Sequence, residues 1–189
     1  MNKGIVLGVV FLLVLMSFTS ISGNQINKQI IKQSDGGNIL YVGGNGPGNY
    51  TTIQSAINDA SNGDTVFVFD ESSPYYEHIK VNKSINLIGE NRGTTVIDGN
   101  GLGTVMDLSA DEVTLSGFTI RKGDYMKGLF VNSKNNIIID NNIVNNGWIG
   151  IYITGSSHTI SENSIKNNYH YGMWIDPSSN NNFIYENTI

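Results

Sequence analysis

The sequence contains no cysteine, and its 189 residues include only 3 prolines, 3 histidines and 2 tryptophans. The lack of cysteine excludes disulfide scaffolds, thiolate catalysis and cysteine-built zinc sites. The histidines share no repeat position and show no His-x-His spacing, so the sequence predicts neither a metal site nor a cofactor. They are His78, His158 and His170.

Positive charge is also scarce. With 11 Lys and Arg against 16 Asp and Glu, the formal net charge is −5. A surface that binds nucleic acid needs a basic patch, so nucleic acid is not expected as a partner. The length suits one domain with a core of its own.

Asparagine and glycine are abundant instead, with 26 Asn and 22 Gly. Both residues tolerate left-handed backbone angles and favour turns. After residue 60 the sequence shows no helix-length apolar period. Short strands are predicted at 79–81, 85–88, 95–97, 105–108, 113–115 and 118–120. The sequence therefore predicts an all-β fold.

The first 23 residues differ from the rest. Lys3 precedes an apolar run over residues 5–16, and small residues follow up to Gly23. This layout is typical of a secretory signal peptide, and the run is shorter than the about 20 residues of a membrane span. An uncleaved anchor is the alternative. We expect a secreted, periplasmic or cell-surface mature chain without a membrane span, which begins with a flexible lead-in over residues 24–38.

The stretch "YTTIQSAINDASNGDTVFVFD", residues 50–70, changes its period midway. Thr51 or Thr52 is a suitable N-cap, and apolar residues then recur at helical spacing up to Ala60. Asn62-Gly63 is expected to end the helix, and "TVFVF" alternates as a strand. A short helix here would cover the first open edge and end of a stack of strands.

One unit is repeated in the second half of the chain. Gly128, Gly150 and Gly172 each open a copy and are spaced by 22 residues. The motifs "IIDNNI", "ISENSI" and "IYENTI" recur later in each copy, at steps of 22 and then 24. Such self-similarity with only short strands is typical of a solenoid. The sequence predicts a right-handed parallel β-helix with coils of about 22 residues over residues 39–189.

The third copy stops halfway through its coil, at Ile189. Such an end leaves an uncapped apolar surface and an unpaired strand. We therefore expect the chain to be a fragment truncated at its C-terminus, with further domains of the same polypeptide.

Corresponding residues of successive coils stack about 4.8 Å apart in such a fold. Positions that are apolar in every copy must face inward. They form four columns: Leu129, Ile151 and Met173; Val131, Ile153 and Ile175; Ile138, Ile160 and Ile184; Ile143, Ile165 and Ile189. At a turn between these strands, Asn141, Asn163 and Asn187 are predicted to form a structural ladder of side-chain amides.

Outward positions in each copy carry aromatic side chains. One column lies between two inward columns of the same strand, and a second group stands at the turn before it. Sugar rings stack on exposed aromatic faces, so these positions predict a carbohydrate-binding surface. The alternative is that the rings stack on one another or contact another domain. The candidates are Phe130, Tyr152, Trp174, Trp148, Tyr169 and His170, with Met126 and Tyr125 beside them.

Asp140, Glu162 and Glu186 form an acidic column. Like charges at strand spacing repel each other unless a cation or solvent screens them. Two interpretations stay open: a role in calcium or substrate binding, and plain solvation at an exposed corner of the coil.

The opening "YTTIQSAINDASNGDTVFV", with "YYEHIKVNKSINLIGENRGTTVIDG", resembles pectin-lyase-like β-helix proteins. Copies such as "GIYITGSSHTISENSIKNN" are similar to the NosD type. The resemblance covers about residues 40–189 and implies the fold, whereas the roles of such proteins differ widely. The motifs that it would imply for pectinesterases, polygalacturonases and pectate lyases are absent from the sequence, so no catalytic residue is assigned.

Three functions stay open on the sequence. The first is an exported β-helix module that interacts with polysaccharide or has a structural role. The second is a polysaccharide lyase or hydrolase whose catalytic residues lie beyond residue 189. The third is a NosD-like accessory protein for copper-site assembly. The lack of catalytic motifs favours the first.

Overall fold

A computed structural model describes residues 37–189, and within this range the chain forms one helix and sixteen short strands. The predicted signal peptide and residues 24–36 of the lead-in lie outside the described residues. The helix α1 spans Ile53–Asp59. The strands are β1 Ile39–Val42, β2 Thr65–Val68, β3 Ile79–Val81, β4 Asn86–Gly89, β5 Val96–Asp98, β6 Met106–Leu108, β7 Thr114–Ser116, β8 Thr119–Arg121, β9 Lys127–Val131, β10 Ile137–Ile139, β11 Asn142–Val144, β12 Ile149–Ile153, β13 Thr159–Ser161, β14 Ser164–Lys166, β15 Tyr171–Ile175 and β16 Phe183–Tyr185.

The strands form three parallel sheets. The first has the order β1-β2-β4-β7-β10-β13-β16, the second β5-β8-β11-β14 and the third β3-β6-β9-β12-β15. Each strand pairs with its equivalent in the next coil. In the first sheet, from β2 to β16, equivalent residues are 21, 28, 23, 22 and 24 positions apart. The predicted right-handed parallel β-helix is confirmed.

The predicted inward columns form the core except in the last copy, where Ile175 and Ile189 are exposed. In the third sheet Leu129 pairs with Ile151, which pairs with Met173. Leu129 and Ile151 are fully buried, whereas Met173 is partly exposed. Removing an aliphatic side chain of this size from water contributes about 1.5–3 kcal/mol. Because each coil covers the apolar side of its neighbour, this gain depends on stacking.

Helix α1 covers the N-terminal end of the stack and packs against β1, β2 and β3. Thr52 is its N-cap, and Thr52 Oγ1 accepts a hydrogen bond from Ser55 N at 3.2 Å. The Glu77 carboxylate accepts two more, from Ile53 N at 2.8 Å and Gln54 N at 2.9 Å. The first turn of the helix is thus satisfied by side chains.

The helix ends before Asn62-Gly63, the position at which the sequence predicted its end. Ala60 is already extended, with ψ 154°. Lys83 Nζ donates to the carbonyl oxygens of Asn58 and Ala60, both at 2.5 Å. This ammonium satisfies carbonyls that the last turn leaves without partners, which explains the earlier end.

A ladder of buried amides runs along the turn between the first and second sheets. Asn141 N donates to Asn163 Oδ1, and Asn163 N donates to Asn187 Oδ1, each at 3.0 Å. Asn141 Nδ2 donates to Leu115 O and Ile139 O, also at 3.0 Å. These amides link successive coils and satisfy carbonyls at the ends of strands.

Two further ladders, which the sequence did not predict, occupy the other turns. One joins Asn146 N to Asn168 Oδ1 at 3.1 Å. The other contains His158, whose Nδ1 accepts from Asn136 N at 3.2 Å and whose N donates to Asn182 Oδ1 at 3.0 Å. Burial lowers the pKa of His158, so its ring stays neutral and able to accept.

Candidate functional site

The outer face of the third sheet carries the predicted aromatic column. Phe130, Tyr152 and Trp174 occupy equivalent positions on β9, β12 and β15. The column continues to Asp107 on β6 and Lys80 on β3. Along this face, one basic and one acidic residue therefore precede three aromatic side chains.

Two of these rings cover each other. Phe130 and Tyr152 are stacked, with ring centroids 5.4 Å apart and planes at 12°. Lys127 Nζ lies 4.5 Å from the Phe130 centroid and 4.9 Å from the Tyr152 centroid, which is cation–π distance. The pair shows the mutual stacking that the sequence left open as the alternative to sugar binding.

Trp174 joins a different group, the aromatic cluster of Trp148, His170, Tyr171 and Trp174. Ring centroids are 6.4 Å apart from Trp148 to His170, 4.2 Å from His170 to Tyr171 and 4.7 Å from Tyr171 to Trp174. Both tryptophans are exposed. Tyr171 was missed in the sequence because strand alternation assigns its position to the inner face.

The turns between the second and third sheets form a groove of about 590 Å³, which we call the turn groove. Tyr125 and Tyr169 line it and are 80% and 83% exposed. They precede β9 and β15, two coils apart, which corresponds to about 10 Å at strand spacing. Gly147 also lines the groove, so the neighbouring Trp148 places the aromatic cluster at its border.

Polar groups complete the lining of the turn groove, among them Lys122, Asp124, Asn145 and Asn167. Lys122, Asn145 and Asn167 share a left-handed backbone, with φ 57°, 56° and 55°. Asparagine tolerates this conformation well, which explains its recurrence at the turn. Aromatic rings beside amide, ammonium and carboxylate groups suit a ligand that carries many hydroxyls.

A buried carboxylate holds Lys122 in place. Lys122 Nζ and Arg121 Nε lie 3.1 Å and 2.9 Å from Asp98 Oδ2. Burial alone would raise the pKa of Asp98, but the Asn100 amide and the Lys122 and Arg121 cations together lower it. Asp98 therefore stays ionised beneath the cation that borders the groove.

Asp107 is a charged residue of the outer face that sequence reasoning missed. Its Oδ1 is buried and makes no hydrogen bond to the part of the chain that the structure describes. Burial raises the pKa of Asp107, and the charges of Lys80 and Lys127 oppose that shift. A single acid in a column of aromatic residues leaves no repeat signal, which is why the sequence did not reveal it.

The fold agrees with a comparison against protein families. A family model described as a right-handed β-helix region matches residues 12–189. The chain belongs to the right-handed β-helix family. The match is to the family as a whole and does not single out the NosD or pectin-lyase-like type. No curated protein and no solved structure matches this β-helix protein.

In this β-helix, the acidic column lies at the turn between the first and second sheets. Asp140, Glu162 and Glu186 all have left-handed backbones, with φ 56°, 58° and 54°. Arg92 reaches Asp140 from a loop two coils away, and its Nη1 lies 2.8 Å from Asp140 Oδ1. The same Nη1 donates to Glu162 O at 3.1 Å. Asp140 is thus buried and paired with an arginine, not solvated.

Glu162 lies between the other two acids. Burial and the charges of Asp140 and Glu186 raise the pKa of Glu162. The native state then binds this proton more tightly than the unfolded chain, so stability falls as the pH rises through the ordinary Glu range and stays reduced at neutral pH. We expect Glu162→Gln to raise the melting temperature at neutral pH by about 1–3 °C, measured by circular dichroism.

Glu112→Gln is the matched control, because Glu112 is exposed and has the same left-handed backbone, with φ 60°. It lies outside the acidic column and should leave the melting temperature nearly unchanged. Below the ordinary Glu pKa of 4.5, the advantage of Glu162→Gln should shrink, since Glu162 is then protonated in both states. A lower melting temperature of this variant at neutral pH would contradict the electrostatic account.

Within residues 37–189, no group of three or more His, Cys, Asp or Glu side chains is arranged to hold a metal ion. In the same range, no helix is both long and apolar enough to cross a membrane. His158 lies in a ladder, His170 lies in the aromatic cluster, and His78 Nδ1 lies 2.8 Å from Thr104 O, so the three histidines do not share a site.

Proposed function

We propose that this β-helix protein is an exported module, periplasmic or on the cell surface, that binds a polysaccharide through the turn groove. The signal-peptide layout of residues 1–23 supports export. Stacked coils offer a long and rigid surface on which a chain of repeated sugar units can lie. The turn groove follows the stacking direction, with Asn145 and Asn167 in successive coils and the two tyrosines two coils apart.

The observation that carries the proposal is the exposure of two rings at this groove. Tyr125 and Tyr169 are the two most exposed large hydrophobic side chains within residues 37–189. Stacking on the CH-rich face of a sugar removes such a surface from water. Because Tyr125 and Tyr169 occupy equivalent backbone positions two coils apart, about 10 Å at strand spacing, a ligand that contacts both rings is longer than one pyranose ring, which favours an oligosaccharide or polysaccharide.

The polar lining supplies the hydrogen bonds that such a ligand needs. Lys122 Nζ and the amides of Asn145 and Asn167 offer donors to sugar hydroxyls, and the Asp124 carboxylate offers an acceptor. Asp98 fixes the ammonium of Lys122 in advance, which reduces the entropy lost on binding. The aromatic cluster extends the apolar part of the surface beyond the groove.

Affinity electrophoresis tests the proposal with neutral, acidic and amino polysaccharides in the gel. We expect at least one of them to retard the wild-type protein. Tyr125→Ala/Tyr169→Ala should weaken that interaction about tenfold or more, because each stacked ring contributes about 1 kcal/mol.

Two double variants serve as controls. Tyr76→Ala/Tyr185→Ala removes two exposed rings that do not line the turn groove, and it should migrate like the wild type. Phe130→Ala/Tyr152→Ala removes the stacked pair, so it should lower the unfolding midpoint and keep the retardation. Equal retardation of Tyr125→Ala/Tyr169→Ala and wild type would overturn the site. If no polysaccharide retards the wild type, the structural role of the module is favoured instead.

A further inference from the structure

A second groove, of about 460 Å³, lies at the N-terminal end of the stack and shares no lining residue with the turn groove. It is bordered by the loop after β1, the segment after β2 and the residue that follows β4. We call it the N-terminal groove. Its lining includes Tyr41, Phe69, Glu71, Glu90, Asn45 and Asn49.

Tyr41 and Phe69 form an aromatic wall of this groove. Their rings are stacked, with centroids 5.8 Å apart and planes at 21°. Phe67 supports both rings edge-on, at 6.1 Å from Tyr41 and 5.1 Å from Phe69. Tyr41 is 42% exposed, so part of the wall remains accessible. Such a wall attracts the apolar face of a ring or an organic cation.

The loop after β1, which also lines the groove, is held by hydrogen bonds. Gly43 N donates to Tyr50 O at 2.8 Å, and Asn49 Nδ2 donates to Gly43 O at 2.6 Å. Gly44 N donates to Ser72 Oγ at 3.1 Å. The groove is therefore formed before any ligand arrives, and binding requires little ordering of the loop.

Two carboxylates face the same groove without a counter-charge. Glu71 Oε2 accepts from Asn45 Nδ2 at 3.4 Å, and Glu90 Oε2 accepts from Asp70 N at 3.1 Å. The ion pairs within residues 37–189 involve Asp98 and Asp140 but none of Asp70, Glu71 and Glu90. Burial raises the pKa of Glu90; the Asp70 amide opposes this shift, and the charges of Asp70 and Glu71 add to it. A cationic ligand would relieve this repulsion.

We propose that the N-terminal groove binds a protonated amino sugar. Its ammonium group pairs with the carboxylates of Glu71 and Glu90, and its ring lies against the aromatic wall. The side-chain amide oxygens of Asn45 and Asn49 accept hydrogen bonds from its hydroxyls. These amides favour a ring with hydroxyls over the bare methylene chain of a lysine side chain.

A bare metal ion fits this groove less well. Calcium takes six to eight oxygen ligands, whereas one side of the N-terminal groove is aromatic. Within residues 37–189, no set of three or more acidic or histidine side chains is arranged for a metal. An organic ammonium group uses both the wall and the carboxylates, since cation–π and charge-assisted hydrogen bonds act on it together.

Isothermal titration calorimetry of the full chain near pH 6 tests the proposal with three tetrasaccharides that share the same β-1,4 backbone. They carry an amine, an acetamide or a hydroxyl at C2 of each ring, and the amine is protonated at this pH. We expect the amine form to bind about tenfold tighter than the other two, because it alone forms the charge-assisted bonds.

Glu71→Gln/Glu90→Gln should weaken binding of the amine form about tenfold and leave the other two unchanged. The fold should persist, since the side-chain amide oxygen that Glu90→Gln introduces still accepts from Asp70 N. Glu112→Gln, at an exposed glutamate elsewhere, should bind like the wild type. Tyr125→Ala/Tyr169→Ala should keep the amine binding, so this site stands or fails independently of the turn groove.

Several results would overturn the proposal. Equal affinity for the three tetrasaccharides removes the role of the ammonium group. If Glu71→Gln/Glu90→Gln binds the amine form as tightly as the wild type does, the ammonium group binds elsewhere. The same follows if Tyr125→Ala/Tyr169→Ala no longer binds the amine form. Tighter binding of an Nα-acetyl-lysine amide than of the amino tetrasaccharide would assign the groove to a lysine-bearing peptide.

Discussion

Asn141→Ala is expected to lower the free energy of unfolding by about 3 kcal/mol. Asn141 is fully buried. Its Oδ1 accepts from Phe118 N, and its Nδ2 donates to Leu115 O, Ile139 O and Asn163 Oδ1, all at 3.0–3.1 Å. Alanine removes these bonds at once and leaves backbone groups of two coils buried without partners, which costs more than the bonds themselves contribute.

Urea unfolding followed by circular dichroism measures the loss. Asn132→Ala is the control, because Asn132 is an exposed asparagine of the same repeat, and it should change stability by less than about 0.5 kcal/mol. Asn141→Asp keeps the size and one acceptor but loses the amide donor and places a carboxylate beside carbonyl oxygens. It should therefore be about as unstable as Asn141→Ala at neutral pH. Wild-type stability of Asn141→Ala would show that the ladder contributes little.

Gly155→Ala is expected to lower the free energy of unfolding by a similar amount, about 3 kcal/mol. A Cβ at this position would lie 1.6 Å from Ser133 O and 2.7 Å from His158 Nε2. Ser133 O is a backbone atom of the preceding coil, and the His158 ring is held in its ladder. Neither can move aside without separating two coils. The glycine therefore permits a close approach of two turns, which a methyl group prevents.

The matched control is Ser157→Ala, an exposed residue of the same turn. It should change the urea midpoint only slightly. Thermal unfolding of both variants gives an independent measure, and Gly155→Ala should melt about 6 °C or more below the wild type. Equal midpoints for the two variants would mean that the turn tolerates a Cβ by a shift that the packing does not suggest.

Features that every coil repeats could be predicted from the sequence. Inward columns such as Leu129, Ile151 and Met173 follow from alternation and a constant step, because the same face must be apolar in each coil. The strand expected at 113–115 lies at Thr114–Ser116, and this shift of one residue is typical of element ends. Thr52 caps α1 as its residue type indicated.

Features that occur in a single copy could not be predicted from the sequence. Arg92 contacts Asp140, which lies two coils further along the stack, and no local sequence pattern indicates a contact over that separation. His158 replaces asparagine in one ladder, which interrupts the residue type although the hydrogen bonds continue. Lys127 covers Phe130 from the start of the same strand, and charge alone does not indicate where its long side chain lies.

The candidate surfaces show the same division. The sequence showed Tyr125 and Tyr169 beside the aromatic column, but only the packing of turns from four coils makes a groove of their surroundings. The N-terminal groove has no counterpart in the repeat, since it combines the loop after β1 with residues that follow β2 and β4. Its aromatic and acidic residues come from three separate segments, around residues 41, 69–71 and 90, and share no repeat.

The claim that the turn groove binds polysaccharide is tested most directly by the indole N–H signals of the 2 tryptophans. Both belong to the aromatic cluster, and Trp148 follows Gly147 of the groove. The full chain, labelled with ¹⁵N, is titrated with an oligosaccharide of the polysaccharide that retards it. We expect the Trp148 signal to shift progressively to saturation, and the Trp174 signal to shift less. An unmoved Trp148 signal at saturating oligosaccharide would contradict the account.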